Sequence, residues 1–181
     1  DFCLSRGLGD VYKRQVLDLS KFQKEIIYNL RKMSVEEIAQ LVDVSEGLEN
    51  AIKNAANSSN NLVDFVNIVK SKRYTQTRIQ RILIYALLGI TNSKMLAFKK
   101  AVPYARVLGF NENGKQLISQ IAKKNKKVQI VTSVKKYMDE SKNKVLKEML
   151  ETDILATNVY TLGYEKDSWS NLDYTNKLVT M

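Results

Sequence analysis

The sequence predicts a mostly helical α+β protein: a five-helix N-terminal part followed by a small C-terminal part containing a βαβ unit. Three observations carry this expectation. Apolar residues recur at three- and four-residue spacing from Ser20 to about Leu88. Polar caps and turn clusters divide that stretch into short helices. Beyond Pro103 the pattern changes to two short apolar runs flanking one helical segment.

The first helix places Phe22, Ile26, Ile27 and Leu30 on one face. Ser34-Val-Glu-Glu37 is a capping box that opens the second helix, with Ile38 and Leu41 inward. Ser45 or Asp43 is expected to cap a third helix running to about Ala56, with Leu48 and Ile52 inside. The polar cluster Asn57–Asn61 separates it from a fourth helix carrying Leu62, Phe65, Val66 and Val69. Thr75 caps a fifth, from Gln76 to about Leu88, ended near Gly89. These segments define a helical domain over residues 16–100.

Residues 101–181 form the second part. Tyr104–Phe110 reads as a strand, Asn111–Gly114 as a turn, Gln116–Lys124 as a helix and Val128–Thr132 as a second strand. The connection is long enough for a right-handed crossover, which predicts a parallel pair. A long helix from Lys142 to about Tyr160 follows, and the tail from Gly163 is polar and turn-rich. Residues 1–15 lack either periodicity and resemble a translated adapter sequence; native sequence is expected to begin near Val16.

Composition removes many functions. The chain has 181 residues, no histidine and one cysteine, Cys3. Imidazole general bases, Ser-His-Asp and Cys-His arrangements, zinc sites and disulfide frameworks are therefore excluded for this chain alone. No catalytic and no metal-ligating residue is predicted. The longest apolar run, Ile82–Ile90, is well short of the ~20 residues a membrane span needs, and no secretory signal is evident, so the expected location is cytoplasmic, without membrane partners.

The formal net charge is +10. Between Asp64 and Glu112 there is no acidic residue, while nine basic ones occur: Lys70, Lys72, Arg73, Arg78, Arg81, Lys94, Lys99, Lys100 and Arg106. An uncompensated basic run repels itself and points to an anionic partner, with nucleic-acid phosphate the first candidate. Its dense part, Lys70–Arg81, leads into the fifth helix, whose N-terminal N–H groups also favour phosphate. Arg78, Arg81 and Tyr85 share one narrow face of that helix. The predicted RNA- or phosphate-binding residues are Lys70, Lys72, Arg73, Tyr74, Arg78 and Arg81, with Tyr74 available to stack on an unpaired base.

The alternative for Arg78 or Arg81 is an ion pair with Glu46 or Glu49, which share a helix face; for those two carboxylates, favourable placement at a helix N-terminus competes with any role at a site. Lys94 to Arg106 form a looser set that surface solvation accounts for. Lys123–Lys127 reads as a solvated basic loop. Lys32-Met-Ser34 matches only the start of a triphosphate-binding loop motif, and Ser34 is better explained as a cap.

Four segments together carry a family resemblance: Val44-Ser-Glu-Gly-Leu-Glu-Asn50, Lys70–Arg81, Ala105-Arg-Val-Leu-Gly-Phe-Asn-Glu-Asn-Gly114 and Asp173-Tyr-Thr-Asn176. In this order and spacing the chain resembles, from Phe22 onward, the C-terminal part of the bacterial tRNA(Met) cytidine acetate ligase family, whose members are similar to HIGH-type nucleotidyltransferases. The resemblance implies an enzyme that uses ATP to activate acetate as acetyl-adenylate and forms N4-acetylcytidine at the wobble position of elongator tRNA(Met). It also implies that ATP is held by an N-terminal domain with a histidine-bearing motif. This chain has no such motif, so it is expected to lack that domain, to bind no cofactor itself and to be inactive alone. Two other readings stand beside it. The basic cluster could hold ATP phosphates as part of another nucleotidyltransferase, or the chain could be a basic RNA-binding module or helical adaptor without catalytic activity.

Overall fold

The computed structural model describes residues 18–45, 47–102, 104–124, 127–164 and 169–180. A 3-10 turn, Leu19–Phe22, leads into α1 (Gln23–Lys32), followed by α2 (Val35–Ala39), α3 (Leu48–Ser58), α4 (Leu62–Val69), α5 (Gln76–Leu88) and α6 (Asn92–Lys100). Two of the predicted caps, Ser34 and Thr75, open their helices as expected. The Ser34 hydroxyl accepts the Glu37 N–H at 3.2 Å while the Glu37 carboxylate accepts the Ser34 N–H at 2.7 Å, which completes the capping box. Asn61 caps α4 and Thr75 caps α5, and Gly89, at φ +63°, ends α5 in the left-handed conformation glycine adopts without penalty.

The start of α3 departs from expectation. Neither Ser45 nor Asp43 caps it; Gly47, at φ +82°, occupies that position, and the Glu49 carboxylate accepts its N–H at 3.0 Å. Glu49 thus serves the helix end, while Glu46 and residues 1–15 lie outside the described residues.

α1 packs against α3 and α5, and α4 bridges α3 and α5. Ile26, Leu30, Ile38, Leu48, Ile52, Phe65, Ile79, Ile82 and Leu83 are essentially inaccessible in one continuous core. Two basic side chains are used inside this layer. Arg31 donates to the Ala56 and Ser59 carbonyls at the end of α3, at 2.7 and 2.9 Å. Lys53 donates to the Arg31 carbonyl at the end of α1, at 2.6 Å. Each helix of the pair lends a cation to the carbonyl-rich end of the other. The sixth helix was not predicted, and it buries no residue. Thr91 caps it, and Asn92 pins it to α2 by hydrogen bonds between its N–H and the Gln40 carbonyl (2.8 Å) and between its side chain and the Leu41 carbonyl (3.1 Å).

The second part contains β1 (Ala105–Arg106), β2 (Gly109–Phe110), α7 (Glu112–Lys124), β3 (Ile130–Val131), α8 (Val134–Glu140), α9 (Lys144–Leu162), α10 (Leu172–Thr175) and β4 (Val179–Thr180). The predicted parallel crossover is present: β1 pairs with β3 through α7, with Ala105 opposite Ile130. The single strand expected over Tyr104–Phe110 is instead two. Its second half, β2, pairs in parallel with β4 from the tail, so that tail is not merely turns. The expected turn at Asn111–Gly114 is the first turn of α7: the Asn111 side chain accepts the Gly114 N–H and its carbonyl accepts the Lys115 N–H, both at 2.9 Å. Val131, Val134, Leu150 and Ile154 form a second, smaller core, flanked by Tyr104, Tyr137 and Met138. α9 joins the two parts, packing on α5 and α6 as well as on α10.

Candidate nucleic-acid interface

The chain between α4 and α5 forms a tight turn. Ser71 and Tyr74 exchange backbone hydrogen bonds at 3.2 Å in both directions, and the Ser71 hydroxyl also accepts the Tyr74 N–H. This closure lifts Lys72 and Arg73 to the tip, where both are exposed, as is Lys70 at the end of α4. Among the described residues, no carboxylate lies within ion-pair distance of Lys70, Lys72 or Arg73.

Tyr74 is half-buried and packs against the helical core. The Arg73 guanidinium lies 5.6 Å from its ring centroid and that of Arg78 lies 5.3 Å away. Both cations are attracted by the ring quadrupole, so Tyr74 orients them. Its ring is a platform for both arginines.

Arg78 and Arg81 point to a common partner that the sequence reading missed. Arg78 donates through Nε and Nη2 to the Asp43 carbonyl, at 3.0 and 2.7 Å, and through Nη2 to the Ser45 hydroxyl at 3.0 Å. Arg81 meets the Asp43 carboxylate through both Nε and Nη2 at 2.9 Å. An acid partner therefore exists among the described residues: it is Asp43 in the α2–α3 loop rather than Glu49, while the expectation for Glu46 falls outside those residues. Asp43 has φ +66°, a conformation that Asp tolerates better than most residues, and this turns its carbonyl and carboxylate toward α5. The Arg81 side chain remains 54% exposed, so part of its fork still faces solvent. The cluster divides into an outer turn (Lys70, Lys72, Arg73) with no ion pair among the described residues and an inner pair fixed by Asp43 (Arg78, Arg81).

The looser basic set is not simply solvated. Lys94 lies 3.7 Å from Glu148 and 5.9 Å from the Phe98 ring, linking α6 to α9. Arg106 forms a largely buried ion pair with Asp173. Beside it, Tyr104 donates to Asp153; burial first, and then this carboxylate, push the Tyr104 hydroxyl far above the ordinary phenol range. Lys99 and Lys100 are exposed at the end of α6. Among the described residues no group of His, Cys, Asp and Glu could hold a metal, and no helix is long and apolar enough to cross a membrane.

The HIGH nucleotidyl transferase profile matches residues 7–174. The tRNA(Met) cytidine acetate ligase of Thermoanaerobacter pseudethanolicus is 40% identical over 169 residues, covering 93% of this chain and 40% of that protein. The protein of the same description from Acetivibrio thermocellus is 38% identical, covering 98% of this chain and 42% of its own length. The crystal structure of apo Thermotoga maritima TmcAL superposes with a TM-score of 0.83 at 23% identity, over 96% of this chain and 43% of that one. The form bound to alpha-thio ATP gives 0.80 at 24% identity, over 90% and 42%. These structures share the fold, and the chain spans about 40% of the length of the curated relatives it matches. The profile match also revises one expectation: the nucleotidyltransferase assignment attaches to residues of this chain and not only to a domain outside it.

Proposed function

The chain belongs to the HIGH nucleotidyl transferase family, and on that premise we propose that it is the C-terminal, tRNA-contacting part of a cytoplasmic tRNA(Met) cytidine acetate ligase. In this reading the whole enzyme activates acetate with ATP as acetyl-adenylate and acetylates N4 of the wobble cytidine of elongator tRNA(Met). The observation that carries it is similarity to ligases of that description over more than nine-tenths of the chain. The absence of histidine supports an ATP site completed by residues beyond these, in the share of the relatives that the chain does not span.

Lys70, Lys72 and Arg73 are the phosphate contacts in this proposal, with Arg81 beside them and Arg78 and Tyr74 holding the arrangement. Exposed cations without acidic neighbours release counterions when they meet a phosphate backbone, which makes binding salt-dependent. Replacing Lys70, Lys72 and Arg73 together by Ala should flatten the slope of log affinity for elongator tRNA(Met) against log salt by about 2–3. An unchanged slope, measured by fluorescence anisotropy between low and moderate salt, would remove the turn from the interface. The ATP-phosphate alternative makes a different forecast: ATP-dependent acetate activation in the whole enzyme, assayed without tRNA, would be lost in Arg73→Ala.

A further inference from the structure

The parallel strands β1 and β3 end side by side, and a cleft of about 550 Å³ opens beyond their C-terminal ends. Segments 106–108 and 131–134 form one wall and the tail from Asp173 to Val179 forms the other. The crevice beyond the carboxyl ends of parallel strands is where open α/β sheets bind their ligands, because the strands diverge there and the backbone stops covering itself. Two of the four segments that carry the family resemblance, Ala105–Gly114 and Asp173–Asn176, meet here although more than sixty residues separate Arg106 from Asp173 in the chain (|i−j| = 67).

Chemistry narrows what such a cleft accepts. Asp173 is nine-tenths buried, with a side-chain exposure of 9%, and one of its carboxylate oxygens is paired with Arg106 Nη2. Its other oxygen, Oδ2, is buried with no hydrogen-bond partner among the described residues. A buried acceptor left unmade is unfavourable and is relieved by a donor brought from outside. Arg106 is 23% exposed and has that one hydrogen-bonding partner among the described residues, so the rest of its guanidinium still offers donors. An acceptor and a donor therefore sit side by side. Tyr174 and Lys177 line the same cleft, supplying an aromatic surface and a cation.

We propose that this cleft binds one unpaired amino-bearing nucleobase, cytosine or adenine, of an RNA. The exocyclic amine donates to Asp173 Oδ2 and the adjacent ring nitrogen accepts from Arg106, while Tyr174 lies against the ring and Lys177 takes the neighbouring phosphate. The proposal rests on the RNA-contacting reading above and adds a base-reading site, distinct from the basic turn, to a phosphate-binding one.

The test uses amide chemical-shift titrations of the 181-residue chain with CMP, AMP, UMP and ribose 5-phosphate. CMP and AMP should shift amides in 106–108, 131–134 and 173–179, with affinity about fivefold or more above that for UMP. Ribose 5-phosphate should move them less, and only around Lys177. Asp173→Asn keeps an oxygen for Arg106 but presents an N–H₂ where the acceptor was, so the preference for CMP and AMP over UMP should vanish. Equal shifts with ribose 5-phosphate, no shifts at all, or a preference that survives Asp173→Asn each overturn the site. Should that variant not fold, Tyr174→Ala decides, since Tyr174 is 41% exposed: weaker CMP binding supports the site and unchanged binding overturns it. A silent cleft beside intact, salt-dependent tRNA binding through Lys70–Arg73 sinks this inference alone. CMP binding without tRNA binding sinks the basic-turn assignment instead.

Discussion

Asp43 decides which of the basic residues are available to a ligand. Its carbonyl holds Arg78 and its carboxylate holds Arg81, and both depend on a backbone at φ +66°. Two substitutions separate these contributions. Asp43→Gly keeps the left-handed backbone and the carbonyl but removes the charge, so the loss should be under about 1 kcal/mol, as for a half-exposed ion pair. Asp43→Ala adds the penalty of a Cβ in that region and should cost about 1–2 kcal/mol more in chemical denaturation. Because the glycine variant also removes the carboxylate that neutralises Arg81, it should bind tRNA more tightly at low salt. Tighter binding of wild type would instead make Asp43 part of the RNA contact. Sequence periodicity could not reveal this residue: a loop aspartate carries no spacing signal, and its role lies in a positive φ and a partner 35 and 38 positions away. What was legible was the face shared by Arg78 and Arg81, since helical spacing alone brings them together.

At the scale of elements, legibility followed apolar spacing rather than burial alone: α7 was anticipated although it buries no residue, while α8, which buries Val134, was not. Helices with a buried stripe, α1 through α5, were all anticipated; the Ser34 and Thr75 caps were readable, whereas Asn61 was read only as part of a polar turn. The α3 start was missed because a left-handed glycine and a reaching Glu49 do that work. Also not anticipated were α6 and α10, which bury no residue. The parallel crossover was readable from two apolar runs and a helix, but the division of Tyr104–Phe110 was not, because it depends on a tail strand more than sixty positions on. Gly109 is the hinge of that division. A Cβ there would sit 2.7 Å from the Val179 carbonyl oxygen, closer than atoms can approach, and the obstruction is backbone rather than a yielding side chain. Gly109→Ala should therefore separate β2 from β4 and cost about 1–3 kcal/mol as an overpacking defect. Limited proteolysis should then cut the tail after Thr175 faster than in the wild type; equal cutting rates would mean that β4 contributes nothing to holding it.

The described residues form two apolar cores, and α9 contributes to both. Leu150 and Ile154 of α9 belong to the smaller core, and Val159, further along the same helix, packs against the larger one. The basic turn belongs to the helical part, whereas the Arg106–Asp173 cleft belongs to the strand-containing part. If the two cores are separable units, as the expected division near residue 100 implies, damage to one should leave the other's surface working. Leu150 is fully buried, so Leu150→Ala should cost about 2–5 kcal/mol through the cavity it leaves. Hydrogen exchange should accelerate over residues 104–180 while α1–α4 keep their protection, because opening of a part requires only that part's core to be lost. The salt slope for tRNA binding at Lys70, Lys72 and Arg73 should stay as in the wild type, and nucleotide binding in the cleft should fall. Uniform acceleration across both parts would instead make α9 the spine of one cooperative unit, and the two sites would then stand or fall together.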